Sequence, residues 1–140
     1  MENKIYSCLI IGSGPCGIGC AVALKQAGFD DFAIIEKSTP GGKVNIAPRV
    51  DNYPGFKEIP GPDLAYELFK RTLDNQINII YDDVSSLTKE DNLFKIVGNE
   101  DTYQSKIVLV ASGTKERKIG LNKEDEFLGK GISYCALCDG

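Results

Sequence analysis

A short apolar run that stops abruptly on spaced glycines constrains this chain more than any other feature. Residues 5–11 read Ile-Tyr-Ser-Cys-Leu-Ile-Ile, interrupted only by Ser7, as expected of a strand buried in a parallel sheet. Gly12-Ser13-Gly14-Pro15-Cys16-Gly17 breaks it, and Ile18, Val22, Ala23 and Lys25-Gln26 continue at helical spacing to a stop at Gly28. Phe32-Ala33-Ile34-Ile35 is a second strand ending in Glu36, so the opening of the chain is a βαβ unit. In that setting Gly12-x-Gly14-x-x-Gly17 is a dinucleotide fingerprint. Gly12 permits the tight turn, Gly14 lets a pyrophosphate approach the backbone, and Gly17 allows close helix–strand packing. The helix N-terminus offers free N–H groups and a positive dipole end to the anion. A carboxylate at Glu36 can accept hydrogen bonds from an adenosine ribose and repels a 2′-phosphate, which favours FAD or NAD over NADP here.

From Lys37 to Gly61 the chain is rich in Pro, Gly and Asn, a long loop of the kind that is commonly functional. Pro62 suits the first turn of a helix whose buried face is expected to be Leu64, Ala65, Leu68, Phe69, Thr72 and Leu73. A strand is expected over Ile77–Tyr81, an antiparallel meander from Val84 to Lys106, and a buried strand over Ile107–Ala111 ending at Ser112-Gly113-Thr114. The remainder reads as polar loop up to Cys135. The fold class is therefore α/β, a Rossmann-like dinucleotide-binding domain (FAD-binding in the family that the chain resembles) with a parallel sheet, a βαβ unit and an antiparallel β-meander. At 140 residues there is material for one ordinary core and not for two.

Sixteen basic against twenty acidic residues, without a basic stripe, argue against a nucleic-acid partner. The longest interior apolar run, Ile107–Ala111, is far short of a membrane span, and Met1-Glu2-Asn3-Lys4 lacks a signal-peptide stretch, so the expected location is the cytoplasm. There is no His, which excludes a histidine base, a Ser-His-Asp triad and His-ligated metal within these residues. Chemistry must rest on cysteines, carboxylates or a cofactor. Of five cysteines, Cys135 and Cys138 form a Cys-x-x-Cys pair followed by Asp139. Thiols at this spacing close and reopen a small disulfide ring, and Asp139 is placed to handle a proton. Half of a zinc site is the alternative, but Cys8, Cys16 and Cys20 read better as small buried residues than as ligands. A dinucleotide cradle and a dithiol pair in one chain point to electrons passing between a flavin and a disulfide.

Taken in order, Ile10 to Gly17, Glu36-Lys37 with Gly41-Gly42, Val50-Asp51-Asn52-Tyr53-Pro54-Gly55-Phe56, Ala111-Ser112-Gly113-Thr114 and Gly131 to Gly140 resemble the low-molecular-weight, bacterial-type thioredoxin reductases over nearly the whole chain. The resemblance implies an FAD-bound homodimer that takes hydride from NADPH, reduces its own disulfide and passes the dithiol to thioredoxin after a domain rotation. It implies that Gly12, Ser13, Gly14, Pro15, Cys16 and Gly17 hold the FAD pyrophosphate, and Glu36 and Lys37 the adenosine. Gly41, Gly42, Lys43 and Asn52 would lie near the flavin, Val84 near the adenine, and Ala111, Ser112 and Gly113 would close over the cofactor. Cys138 would face the flavin, Cys135 would attack thioredoxin, and Asp139 would serve as acid–base. Residues 1–114 would be the N-terminal part of the FAD domain and 115–140 a linker with the start of the NADPH and redox domain. The NADPH site would then lie outside this chain, which reads as a fragment without NADPH turnover of its own. Three departures stand out: Lys43 replaces the family's usual Gln, Ser112 a common Thr, and the sequence stops at Gly140 where the family is expected to continue into its NADPH domain. Competing readings are a same-fold reductase fed by ferredoxin or reduced flavin, and a non-catalytic flavin module or thiol redox sensor. Related flavoproteins that reduce peroxiredoxin carry an extra N-terminal region, dithiol oxidases tend to carry His after the second Cys, and ferredoxin–NADP reductases of this fold lack the pair.

Overall fold

The computed structural model of the chain describes residues 4–134. Strand β1, Ile5–Ile11, leads into helix α1, Pro15–Gln26, and back to β2, Phe32–Glu36. A 3₁₀ turn over Gly42–Ile46 precedes α2, Gly61–Asp74, and then β3, Ile79–Tyr81. The hairpin strands β4, Ser86–Glu90, and β5, Leu93–Val97, lead to the long β6, Thr102–Val110, and a single-turn helix α3, Glu124–Phe127. These strands form one sheet in the order β3-β2-β1-β6-β5-β4. β1 pairs in parallel with β2 and β6, β2 in parallel with β3, and the β4–β5–β6 part is antiparallel.

The apolar runs form central strands because both faces of the sheet are covered. Successive residues point to opposite faces. Cys8, Ile10, Phe32 and Ile34 pack on one side with Ala21 of α1, and Leu9, Ala33 and Ile35 pack on the other with Ile96 of β5. A third cluster, Ile18, Leu64 and Leu68, joins α1 to α2 and takes in Val44, Val50, Tyr53, Phe56 and Ile59 from the long loop. Pro15 and Pro62 occupy first-turn positions of their helices, where a missing N–H costs nothing. Gly28, at φ +79°, ends α1 in the left-handed region.

The structure departs from the sequence reading at five places in the fold. The strand expected to be buried over Ile107–Ala111 is not: Ile107 and Val110 are 59% and 60% exposed, and Val108, Leu109 and Ala111 are half-buried, because helix α1 packs on β1 and β2 rather than over this part of β6. β3 begins at Ile79, because the N–H of buried Ile77 bonds Thr72 O at 2.8 Å and closes the turn out of α2. β6 is continuous through Lys106–Ile107, where the sequence suggested a break. Its polar first half, Thr102–Ser105, pairs with β5 while Gln104–Val110 pairs with β1, so one strand carries two environments. Leu73 is 59% exposed and lies off the buried face of α2. The stretch after Thr114 is not plain loop: Glu124, at the start of α3, is buried and accepts the N–H groups of Ile119, Gly120 and Leu121 at 2.8–3.0 Å. Among the described residues no helix is long and apolar enough to cross a membrane.

The core assignment is checked by denaturant unfolding. Ile10→Ala, at a position with no exposure, is expected to cost about 2–5 kcal/mol. Leu73→Ala should change stability by less than about 0.5 kcal/mol. Equal losses from the two would contradict the packing described.

Candidate dinucleotide-binding cleft

The chain runs outward through β1, β2 and β3 and then returns to place β6 on the other side of β1. That reversal leaves a crevice at the carboxyl ends of the strands, where open α/β sheets bind ligands. Ile11 is in register with Ile35 of β2 and Val110 of β6, so the three strand ends face the crevice together. The crevice is a cleft of about 920 Å³, within the range of about 300–1,000 Å³ usual for ligand sites.

The glycines shape it in different ways. Gly12 sits at φ +101°, and a Cβ there would lie 2.4 Å from Ala111 O; a side chain would push β1 and β6 apart. A Cβ at Gly17 would lie 1.9 Å from Gly12 O, so α1 can rest on the strand end only with glycine at this position. Gly14 has ordinary dihedrals, and a Cβ there meets nothing within 4 Å. The protein itself makes no demand for glycine at 14; a side chain would fill the cleft that Gly14 lines. Helix α1 begins at this point with no side-chain cap and no acidic residue in its first turn. Its N-terminal donors and dipole are therefore left to an anion.

Glu36 closes β2 with its carboxylate buried. Oε2 accepts the Ser13 N–H at 2.7 Å and the Ser13 hydroxyl at 2.6 Å, and Oε1 accepts the Ser38 N–H at 2.9 Å. Burial pushes this carboxyl upward, but the hydrogen bonds from Ser13, Ser38 and Lys37 outweigh it, and the group sits below the ordinary glutamate value. It is charged at neutral pH, and it fastens the glycine turn to the second strand.

The structure brings most of the candidate residues to this cleft and leaves a few away from its lining. Gly12, Gly14, Pro15, Cys16, Glu36, Lys37, Gly42, Lys43, Val84, Ala111, Ser112 and Gly113 line it. Ser13 is fully buried beneath it, and Gly17 is buried against β1. Gly41, at φ +103°, donates its N–H to Ser13 O at 2.8 Å, and a Cβ there would lie 2.5 Å from Ala65 Cβ, so it seats the 3₁₀ turn on α2. Asn52 is exposed and is not part of the lining. The Val50–Ile59 bridge closes its loop and turns Tyr53 and Phe56 into the α1–α2 cluster instead. Cys16, expected to be buried, is exposed on the first turn of α1, whereas Cys8 is buried and Cys20 half-buried. Among the described residues no cluster of His, Cys, Asp or Glu could hold a metal. Cys135, Cys138 and Asp139 lie outside the described residues.

One lining residue carried no sequence signal. Asp82, buried just after β3, accepts the N–H groups of Asn99, Glu100 and Asp101 at 2.8–3.2 Å and the Tyr103 hydroxyl at 2.8 Å. Burial raises this carboxyl and the hydrogen bonds from Tyr103 and the turn more than reverse that, leaving it below the ordinary value. A Cβ at Gly98 would lie 2.0 Å from Asp82 Oδ2, so this glycine clears space for the carboxylate. The partners lie 17–21 residues away, beyond the reach of local pattern.

A mixed sheet with a parallel half, and with a glycine turn, an uncapped helix and a buried carboxylate at its switch point, defines a dinucleotide-binding protein of the Rossmann-like class. Comparison with known proteins narrows this. The chain belongs to the pyridine nucleotide-disulphide oxidoreductase family, whose profile matches residues 6–140. It is 40% identical over 140 residues to the thioredoxin reductase of Ureaplasma parvum, covering 100% of this chain and 45% of that protein. It is 45% identical to that of Mycoplasma pneumoniae, covering 99% and 44%. The crystal structure of thioredoxin reductase from Streptococcus pyogenes superposes with a TM-score of 0.82 at 34% identity, over 99% of this chain and 45% of that one. A ferredoxin–flavin thioredoxin reductase from Clostridium acetobutylicum gives 0.75 at 33%, over 99% and 48%. The resemblance read from the sequence is thus borne out, and the chain spans less than half the length of the relatives it matches.

The glycine geometry is testable by paired substitutions. Gly14→Val, at the N-cap of α1, should cost no more than about 1 kcal/mol of stability and weaken FAD binding by about tenfold or more. Gly17→Ala should destabilise the fold itself, measured by thermal unfolding without ligand. The reverse pattern would contradict the roles assigned.

Proposed function

We propose that this chain is the FAD-binding N-terminal part of a thioredoxin reductase, which passes electrons from NADPH through FAD to a Cys135–Cys138 disulfide and on to thioredoxin. The observation that carries the cofactor assignment is the cleft at the strand ends, in which Gly14 leaves open room beside the uncapped start of α1 and Glu36 presents a buried, charged carboxylate. The relatives' names carry the reaction class.

In this reading the turn Gly12–Gly17 holds the pyrophosphate through backbone N–H groups, and Glu36 with Lys37 receives the adenosine hydroxyls. Val84 lies toward the adenine, and Ala111, Ser112 and Gly113 wall the opposite side. Bound FAD supplies the exchange between two-electron hydride chemistry and thiol chemistry. Cys138 serves as the thiol nearest the flavin, Cys135 attacks the thioredoxin disulfide, and Asp139 moves the accompanying proton. The sequence holds one dinucleotide fingerprint, whose Glu36 disfavours a 2′-phosphate, so NADPH is assigned to a separate domain beginning within residues 115–140. A homodimer in the cytoplasm completes the proposal, in keeping with free thiols at Cys8, Cys16 and Cys20 among the described residues. The likeness to a ferredoxin–flavin thioredoxin reductase supports a second reading in which only the electron donor differs.

Cys138→Ser in the full-length protein should retain FAD and lose thioredoxin reduction to background. NADPH bleaching the wild-type flavin absorbance supports the first donor, and bleaching only by reduced ferredoxin supports the second. A Cys138→Ser protein that still reduced thioredoxin would refute the assignment.

A further inference from the structure

Beyond Val110 the chain leaves the sheet with little to hold it. The Ala111 N–H bonds Ile11 O at 2.8 Å, Gly113 follows at φ +69° with nothing within 4 Å of a Cβ, and residues 112–118 form no helix or strand. Facing this segment across the mouth of the cleft is the 3₁₀ turn Gly42–Ile46. Its other polar side chain, Asn45, bonds back to the Pro40 and Gly42 carbonyls. Lys43 behaves differently: its ammonium donates to Thr114 Oγ1 at 2.9 Å and is paired with Glu116, residues 71 and 73 positions away in the sequence. Lys43 and Thr114 both line the cleft.

We propose that Lys43, Thr114 and Glu116 form a strap that closes the mouth of the cleft over a bound dinucleotide and slows its release; the inference rests on the FAD assignment above. The strap joins a rigid point to a loose one. The 3₁₀ turn is anchored by Gly41 to Ser13 and by Ala47 to Gly61, whereas residues 112–118 make no backbone–backbone hydrogen bond among the described residues and are held by side chains, Lys43 to Thr114 and Glu116 and Lys118 to Asp125. The Lys43 hydrogen bond holds the Glu116 carboxyl below its ordinary value, so Glu116 is charged at neutral pH. Both partners are nearly half exposed, at 46% and 47% of their side-chain surface, which makes the tie weak and salt-sensitive. A weak tie is what a cofactor gate requires, since it must part for entry.

The test is FAD release from the full-length protein, followed by flavin fluorescence after dilution into a flavin trap. Lys43→Met and Glu116→Gln should each speed release by about two- to fivefold, the range expected for an exposed ion pair. The double variant should be no faster than either single, and salt should speed the wild type toward the variants while leaving them unchanged. Glu116→Gln is the decisive arm. If Lys43 acted only as a positive charge toward the anionic cofactor, removing Glu116 would slow release. Slower or unchanged release in that variant, or additive effects in the double, would overturn the strap while leaving the FAD assignment intact. Failure of the wild type to take up FAD would overturn both.

Discussion

The first turn of α1 lies against the carbonyl of Gly12, at a distance that leaves no room for a Cβ on Gly17. Moving the helix outward by the width of a methyl group would carry its N-terminal donors off the strand end. It would also loosen the fastening of Ser13 to Glu36 and shift the base of the cleft. The same turn meets β6 at the Gly12–Ala111 approach, so two backbone contacts without side chains set the positions of two strand ends and one helix start. Close packing of this kind tolerates little adjustment. The cleft is therefore part of the fold rather than an addition to its surface.

Charge is arranged around that geometry with some economy. The helix start is left without an acidic cap, while the nearest buried carboxylate, Glu36, is tied down by Ser13 and Ser38 at the far side of the turn. An anion can therefore approach α1, and a diol can approach Glu36, without either meeting an unpaired buried charge. Asp82 does comparable work at the outer end. By gathering the N–H groups of the turn after β5, it fixes the Asp82–Val84 wall to the hairpin. No buried side-chain polar atom among the described residues is left without a partner, the condition under which a polar site retains a single arrangement.

Local pattern carried much of this. The β1–α1–β2 unit follows from apolar runs and glycine spacing, because Gly12 and Gly17 answer to contacts within a few residues or with the adjoining strand, while Gly14 answers to none within the protein. α2 was legible from its periodicity, apart from Leu73 at the margin of its buried face. What local pattern could not supply was long range. The continuity of β6 depends on two different neighbours, Asp82 on a turn formed after the next hairpin, and the Lys43–Glu116 tie on segments that meet only once the sheet has closed. Asn52 shows the opposite limit, since a motif fixed its identity while the packing of Tyr53 and Phe56 decided where its loop lies.

The central claim is that the strand–turn–helix opening, with Glu36 beside it, cradles an adenine dinucleotide. Amide hydrogen exchange of the full-length protein with and without FAD tests it most directly. Protection should rise at Gly12–Ile18, at Lys37–Ser38 and at Ser112–Gly113, because these backbone groups line or underlie the cleft. Protection confined to other segments, or no change on adding FAD, would contradict it.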